Sequence, residues 1–222
     1  MTPERSTLVL WIAVLAIGAY HGLNPGMGWP LAVANGLAER RGTAVFATLL
    51  PLAAGHLLAM AVVLLPFTAL GAVLALSEPI RLAAGVLLVG FGTWRLLDRR
   101  HPRFLARIKP SRLVWWSFLM ATAHGAGLML LPFAIGLCAS AASTAQLGGG
   151  VGAGVGAGIG IAALVSVAHT AAMLSSGLVA AWIVYRYLGL RMLNRAWFNL
   201  DVVWGASLII AGGASLAVVA LE

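Results

Sequence analysis

Charged residues are scarce in this chain. Only 9% of its 222 residues are Asp, Glu, Lys or Arg, whereas 61% are hydrophobic and the mean hydropathy is +0.98. A soluble domain of this size needs roughly 25% charged residues to cover its surface. The composition therefore excludes an ordinary soluble domain and predicts a surface that faces lipid. No polar stretch is long enough for a second domain, so residues 1–222 are expected to form one membrane domain.

Cysteine and acidic residues are also scarce. The single Cys138 excludes an intrachain disulfide framework and a cysteine-rich zinc or iron–sulfur site. No nucleotide-binding motif, catalytic serine elbow or acid pair lies within an apolar stretch, so neither an enzyme nor an organic cofactor is expected. The six acids lie at the ends of the apolar stretches or between them: Glu4, Glu39, Glu78, Asp98, Asp201 and Glu222.

Six apolar stretches are long enough to cross a membrane as helices, which takes about 20 residues. They are residues 7–37, 44–76, 80–97, 113–137, 152–184 and 201–220. The first, second and fifth exceed the minimum and must tilt, kink or break. The first is expected to break at Asn24–Pro30, and the second contains Pro51 and Pro66. The predicted fold is an all-α polytopic membrane protein with six transmembrane helices.

Basic residues are unequally divided between the two faces of this arrangement. The segments 40–41, 95–112 and 186–195 hold 12 of the 14 Lys and Arg residues, and they all fall on one face. Because cytoplasmic loops are enriched in Lys and Arg, this face is predicted to be cytoplasmic, in a cell (inner) membrane with both termini outside. The basic loop 101–112, with His101, is expected to meet anionic lipid headgroups. The cytoplasmic loops thus account for the net charge of +8, and no nucleic-acid partner is expected.

The two halves of the chain resemble each other. Residues 19–22 (AYHG) recur as residues 122–125 (TAHG), and the pattern His-x-x-Ala-Met at 56–60 recurs at 169–173. Three helices in each half would make the second half inverted relative to the first. We therefore predict two inverted three-helix repeats, 1–100 and 113–222, an architecture that places a transporter's site at the midplane.

A glycine run covers residues 148–160. Gly148, Gly152, Gly156 and Gly160 recur every four residues, which is the spacing of small residues at close helix contacts. A flexible external loop before the fifth span is an equally open interpretation.

Four of the five histidines fall near the middle of predicted spans, on four different helices. An ionisable residue at that depth is costly and usually faces an internal site. Imidazole suits both transition metals and proton relay. Two of these histidines have a methionine four residues later, on the same helix face, and thioether with imidazole favours copper(I). The predicted ligands of one shared midplane metal site are His21, His56, His124, His169, Met60 and Met173.

A predicted substrate pathway adjoins this site. It includes the break in the first span, where backbone carbonyls lose their hydrogen bonds within the helix. Such irregular backbone is tolerated at membrane depth only where it is buried in protein or lines a cavity. The pathway residues are Asn24, Pro25, Gly26, Met27, Thr122 and Thr170.

The run 21–27 (HGLNPGM) resembles the first-half motif of the nickel/cobalt permeases and related urease- and hydrogenase-accessory membrane proteins, in the lysine-exporter-like superfamily. Those permeases carry a histidine, four intervening residues, an acid and a second histidine. Here His21 matches the leading histidine, whereas Gly26 and Met27 stand where the acid and second histidine would be. The resemblance covers seven residues and implies a metal or small-solute permease.

The sequence thus favours a permease whose cargo is a transition-metal ion. It does not distinguish among copper, nickel and cobalt. Three other functions stay open: an exporter of a small organic solute such as an amino acid, a haem-binding membrane redox protein, and a scaffold subunit. Two bis-histidine haems would need histidines in two layers, and the predicted depths give one. A homo-oligomer or a partner membrane subunit is also left open.

The predicted orientation is tested by a reporter fusion. A fluorescent protein that matures only in the cytoplasm, fused after Glu222, should give no signal, because the basic bias puts this end outside. Fusion within residues 101–112 is the control and should fluoresce. A bright fusion at Glu222 contradicts the orientation.

Overall fold

The structure of the chain is a computed structural model that describes residues 3–74, 77–97, 108, 110–145 and 151–188, and beyond these only 205–206, 208–210, 212–213 and 216–217. All regular structure in these residues is helical. The long helices are α1 (Pro3–Leu23), α2 (Trp29–Glu39), α3 (Gly42–Leu74), α4 (Ser77–Leu97), α5 (Leu113–Ala123), α6 (Ala126–Ala145) and α7 (Val151–Ile183).

Three segments are long and apolar enough to cross a membrane, namely Glu4–Leu23, Gly42–Ala69 and Gly154–Leu188. Large hydrophobic side chains are exposed along them, such as Leu50 at 63% and Leu164 at 60%, which suits contact with lipid. Helices α5 and α6 qualify only as a pair, bent by 67°, and would make a fourth span. These segments indicate a membrane protein.

The remaining predicted spans are less fully described. The apolar part of α4, Leu82–Trp94, is shorter than a full crossing. The stretch 201–220 lies largely outside the described residues, as do most of the basic loop at 98–109, with His101, and the segment 189–204. The described part of the chain therefore contains three or four spans of the six predicted.

The first predicted span breaks where the sequence indicated. Helix α1 ends at Leu23, a 3-10 turn covers Pro25–Met27, and α2 begins at Trp29. The Asn24 side chain accepts a hydrogen bond from the Gly26 amide at 2.9 Å, which stabilises the turn. Gly28 then adopts φ +101°, a conformation that only glycine tolerates without strain. Helix α3, by contrast, continues through both of its prolines.

The glycine run is helical from Val151, so the loop interpretation is wrong for residues 151–160. The packing interpretation is also wrong for Gly156 and Gly160, since a Cβ added at either would meet no described atom within 4 Å. Gly158 is the glycine of this run that approaches a neighbour, the Thr68 carbonyl at 3.3 Å from such a Cβ. Gly148 lies outside the described residues.

Helix α7 packs closely against α1. A Cβ at Gly22 would overlap the carbonyl oxygen of Met173, and one at Gly18 would lie 2.6 Å from the carbonyl oxygen of His169. The Ser176 hydroxyl donates a hydrogen bond to the Ala19 carbonyl at 2.8 Å across the same contact. Between lipid-embedded helices, small residues and interhelical hydrogen bonds provide this kind of association.

Helix α3 packs in the same manner against α5. A Cβ at Gly55 would overlap the Val114 carbonyl oxygen, and the Ser117 hydroxyl donates a hydrogen bond to the Leu52 carbonyl at 2.6 Å. Both contacts therefore combine a glycine next to a histidine with a serine that bonds the facing backbone. The helix pairs α1–α7 and α3–α5 are the ones that the predicted repeat would relate, but the glycine and the serine are exchanged between the equivalent helices, so this likeness does not test the repeat.

Substitution of Gly22 by alanine should destabilise the folded chain. The new methyl group overlaps α7, and overpacking of this kind costs about 1–3 kcal/mol. The matched control is Gly160→Ala, which adds the same group to a helix position that faces open space and should leave the melting temperature unchanged or slightly raised. Equal melting temperatures for the two variants in detergent would contradict the α1–α7 contact.

A buried histidine cluster as the candidate site

Three histidines from three helices lie in contact. His21 on α1, His56 on α3 and His169 on α7 have side chains that are at most 1% exposed. Their ring centroids are 5.9 Å apart for His21 and His56, 5.1 Å for His21 and His169, and 5.4 Å for His56 and His169. We call these three residues the histidine cluster. The structure thus brings together three of the four histidines that the sequence analysis assigned to one site.

Backbone carbonyls orient two of the rings. The Nδ1 atom of His21 is 3.0 Å from the Ile17 carbonyl of its own helix, and that of His169 is 3.3 Å from the Val14 carbonyl of α1. A carbonyl oxygen can only accept, so both Nδ1 atoms carry the proton. In the neutral ring the lone pair is then on Nε2, the nitrogen that remains able to bind a cation.

The cluster carries polar atoms that the protein does not satisfy. Within the described residues, Nε2 of His56 and of His169 is buried without a hydrogen-bond partner, and so is the Thr170 hydroxyl. Leaving a buried polar group unsatisfied costs about 1–3 kcal/mol. Three such atoms at one place are expensive for a purely structural core, and unsatisfied groups of this kind are more typical of a functional site.

The cluster is not a closed ligand set in this conformation. Among the described residues, no three His, Cys, Asp or Glu side chains have the geometry to hold a metal ion. The rings of His56 and His169 are nearly parallel, with 13° between their planes and centroids 5.4 Å apart. Because no such set of described side chains holds a metal ion as it stands, ion binding at this place requires the side chains to rearrange.

His124 differs from the other three. It ends α5 at the bend before α6 and is only partly buried, with Nδ1 at 2.6 Å from the Met120 carbonyl. Gly125, at φ +69°, makes the bend that follows. His124 is close enough to His21 and His56 to interact with them electrostatically. It borders the cluster, and whether it is a fourth ligand stays a prediction.

A small cavity of about 20 Å³ adjoins the cluster. Its walls come from the broken first span (Gly22, Met27 and Trp29), from the part of α3 before His56, and from the part of α7 after His169. Helices α3 and α7 are therefore antiparallel at this level. Trp29, which the sequence analysis missed, fixes the rim of the break, because its indole N–H donates to the Leu23 carbonyl at 3.1 Å.

The two predicted methionine ligands lie on opposite sides of the cluster. Met173 follows His169 and lines the cavity. Met60 follows His56 on the antiparallel helix, so it lies on the far side, fully buried in an apolar core that includes Val14 and Leu64. Although both methionines lie four residues after a histidine, they are on opposite sides of the cluster.

The predicted pathway residues are also separated. Asn24 and Thr170 are buried, and Met27 lines the cavity. Thr122 is exposed, and its hydroxyl donates to the Phe118 carbonyl of its own helix at 2.8 Å. The break in the first span is therefore the part of the predicted pathway that lies beside the cluster.

Comparison with known proteins finds no match: no family model, no curated protein and no solved structure is significantly similar to the chain. The resemblance of residues 21–27 to the nickel/cobalt permeases therefore stays a prediction.

Contact between the rings of His56 and His169 predicts efficient crosslinking. In a Cys138→Ala background, His56→Cys with His169→Cys should be joined by a short bifunctional thiol reagent, because these side chains touch. The control is the pair His169→Cys with Leu119→Cys. It should give little crosslinked product, because Leu119 is 63% exposed on the lipid-facing surface of α5. Mass spectrometry of the linked peptides reads the result. Equal yields for both pairs would contradict the cluster.

Proposed function

We propose that the protein is a secondary permease for a transition-metal ion, which the histidine cluster binds near the middle of the membrane. The observation that carries the proposal is the approach of three buried imidazoles to within 5.1–5.9 Å of one another from three separate helices. Imidazole nitrogen is a preferred ligand of transition metals, and buried ionisable groups in spans commonly mark ion pathways.

The distances are compatible with one shared ion. A histidine nitrogen binds a transition metal at about 2.0–2.1 Å, so ring centroids around one ion lie roughly 5 Å apart. The centroids of His21 and His169 are 5.1 Å apart. Rotation of the stacked His56 ring would direct its unsatisfied Nε2 to the same point.

The structure also has an asymmetry that transport needs. On one side of the cluster lies the small cavity of about 20 Å³, and on the other lies the tightly packed core around Met60. In the proposed topology the chain runs from an external N-terminus through His21 to a cytoplasmic Arg40, so the cavity is on the cytoplasmic side. The described conformation would thus be closed to the outside, and transport would require the two halves to rock about the cluster.

The proposal includes the architecture inferred from the sequence: six spans in two inverted repeats, in the cell membrane, with both termini outside. The close contacts of α1 with α7 and of α3 with α5 support the repeat, because they join helices that hold equivalent positions in the two halves.

The other functions fit the site less well. A zwitterionic solute such as an amino acid needs charged or strongly polar groups for its amino and carboxylate ends, and the cavity is lined by apolar side chains. Two bis-histidine haems need two layers of histidines, whereas three of the four intramembrane histidines form one cluster.

The proposal is tested by removing two of the three rings. The double variant His56→Ala with His169→Ala should lose the metal that the purified wild-type protein retains, and should lose its effect on cellular metal uptake or sensitivity. His101→Ala is the control, since His101 belongs to the predicted cytoplasmic loop, and it should change neither. If the double variant elutes as a folded protein and still retains metal like the wild type, the cluster is not the site.

A further inference from the structure

We propose that the cavity beside the histidine cluster is a second binding position, built from thioethers and specific for a soft monovalent cation of the copper(I) or silver(I) type. This inference rests on the proposed permease function and adds the chemical class of the ion and the next position on its path. Two methionines line the cavity, Met27 from the break in the first span and Met173 from α7.

The two methionines reach the cavity from independent parts of the fold. Met27 closes the 3-10 turn and is 8% exposed, and Met173 is 6% exposed on the helix that carries His169. Thioether sulfur is a soft, uncharged donor that selects copper(I) over hard cations such as magnesium or calcium. Both sulfurs are held away from solvent, so an ion that binds them is shielded from competing water.

One residue that lines the cavity also has a backbone carbonyl released from its helix. In a regular helix the Gly26 amide would donate to the Gly22 carbonyl, but here it donates to the Asn24 side chain at 2.9 Å. The Gly22 carbonyl is thereby released from the helix ladder, at a residue that lines the cavity. Irregular backbone at membrane depth is tolerated where it is buried in protein or lines a cavity, and freed carbonyls there can coordinate a cation.

The residues around the cavity and the cluster determine whether a monovalent or a divalent ion binds more favourably. Among the residues that the structure describes, no acid lines the cavity and none lies in the histidine cluster. The cost of moving an ion out of water rises with the square of its charge, so a divalent ion at this place would lose about four times as much hydration energy as a monovalent one. Two thioethers and a carbonyl compensate a monovalent ion far better than a divalent one.

The cavity lies directly beside the cluster along the chain. Met173 is one helical turn beyond His169, and Gly22 directly follows His21. An ion that leaves the cluster on this side would therefore enter the cavity next. We infer that the ion passes between nitrogen ligands in the cluster and sulfur ligands in the cavity.

Silver(I) is a suitable probe because it mimics copper(I) without redox chemistry. Silver(I) is titrated calorimetrically into the full chain in detergent micelles. The double variant Met27→Leu with Met173→Leu should lose one of the wild-type binding steps or bind silver(I) at least about tenfold more weakly, because leucine keeps the volume and removes the donors. The matched control is Met129→Leu, a buried methionine outside the cavity lining, which should titrate like the wild type.

The outcomes separate this inference from the permease proposal. Unchanged silver(I) stoichiometry and affinity in the Met27→Leu with Met173→Leu variant would overturn the thioether position, whatever the histidine variants do. Loss of metal in His56→Ala with His169→Ala concerns the cluster alone. X-ray absorption of the copper(I)-loaded wild type gives a second readout that needs no variant: sulfur at roughly 2.3 Å is expected, and a shell of nitrogen and oxygen only would equally overturn the inference.

Discussion

The close approach of α1 to α7 is the contact on which the rest of the site depends. Gly18 and Gly22 stand four residues apart on either side of His21, and a side chain at either would overlap the α7 backbone. Because no side chain separates the two helices, the His169 ring reaches the Val14 carbonyl and lies 5.1 Å from the ring of His21. In lipid, where the hydrophobic effect does not drive helices together, such backbone contact is what holds a polar cluster in place.

The third member of the cluster is positioned by a similar contact on the other side of the molecule. Gly55, the residue before His56, allows α3 to lie against the Val114 carbonyl of α5, and Ser117 bonds the α3 backbone at Leu52. Glycine thus adjoins His56 just as it adjoins His21. Each polar ring is introduced where two helices are closest, so the same small residues that allow the helices to pack also determine which histidines meet.

Much of this arrangement could be read from the sequence. The second and fifth spans were placed within two residues of α3 and α7, and the break in the first span follows from Asn24, Pro25 and Gly28. These features are local: apolar length, a proline that cannot continue a helix, and a glycine that tolerates positive φ. Depth in the membrane and equivalent positions in the repeat predict that the four histidines meet, and the structure brings three of them together because their spans are neighbours.

Features that depend on rotation of a helix about its axis could not be predicted. The glycine run at 148–160 has the spacing of a packing face, yet Gly156 and Gly160 face open space, because spacing does not determine which face meets a partner. Depth likewise placed His124 with the others, but the bend at Gly125 makes it a helix end that borders the cluster. The two methionines share an i+4 spacing, but the antiparallel run of α3 and α7 separates them.

The thioethers of Met27 and Met173, which line the cavity beside the cluster, give the site its most specific chemical property. A histidine cluster alone binds many divalent metals, and nitrogen ligands discriminate among them weakly. Here Met27, at the end of the break in the first span, adds a thioether beside the cluster, and Gly26 next to it carries no charge. A path that joins neutral imidazoles to neutral thioethers favours an ion that is both soft and singly charged, because such an ion gains most from sulfur and loses least when it leaves water.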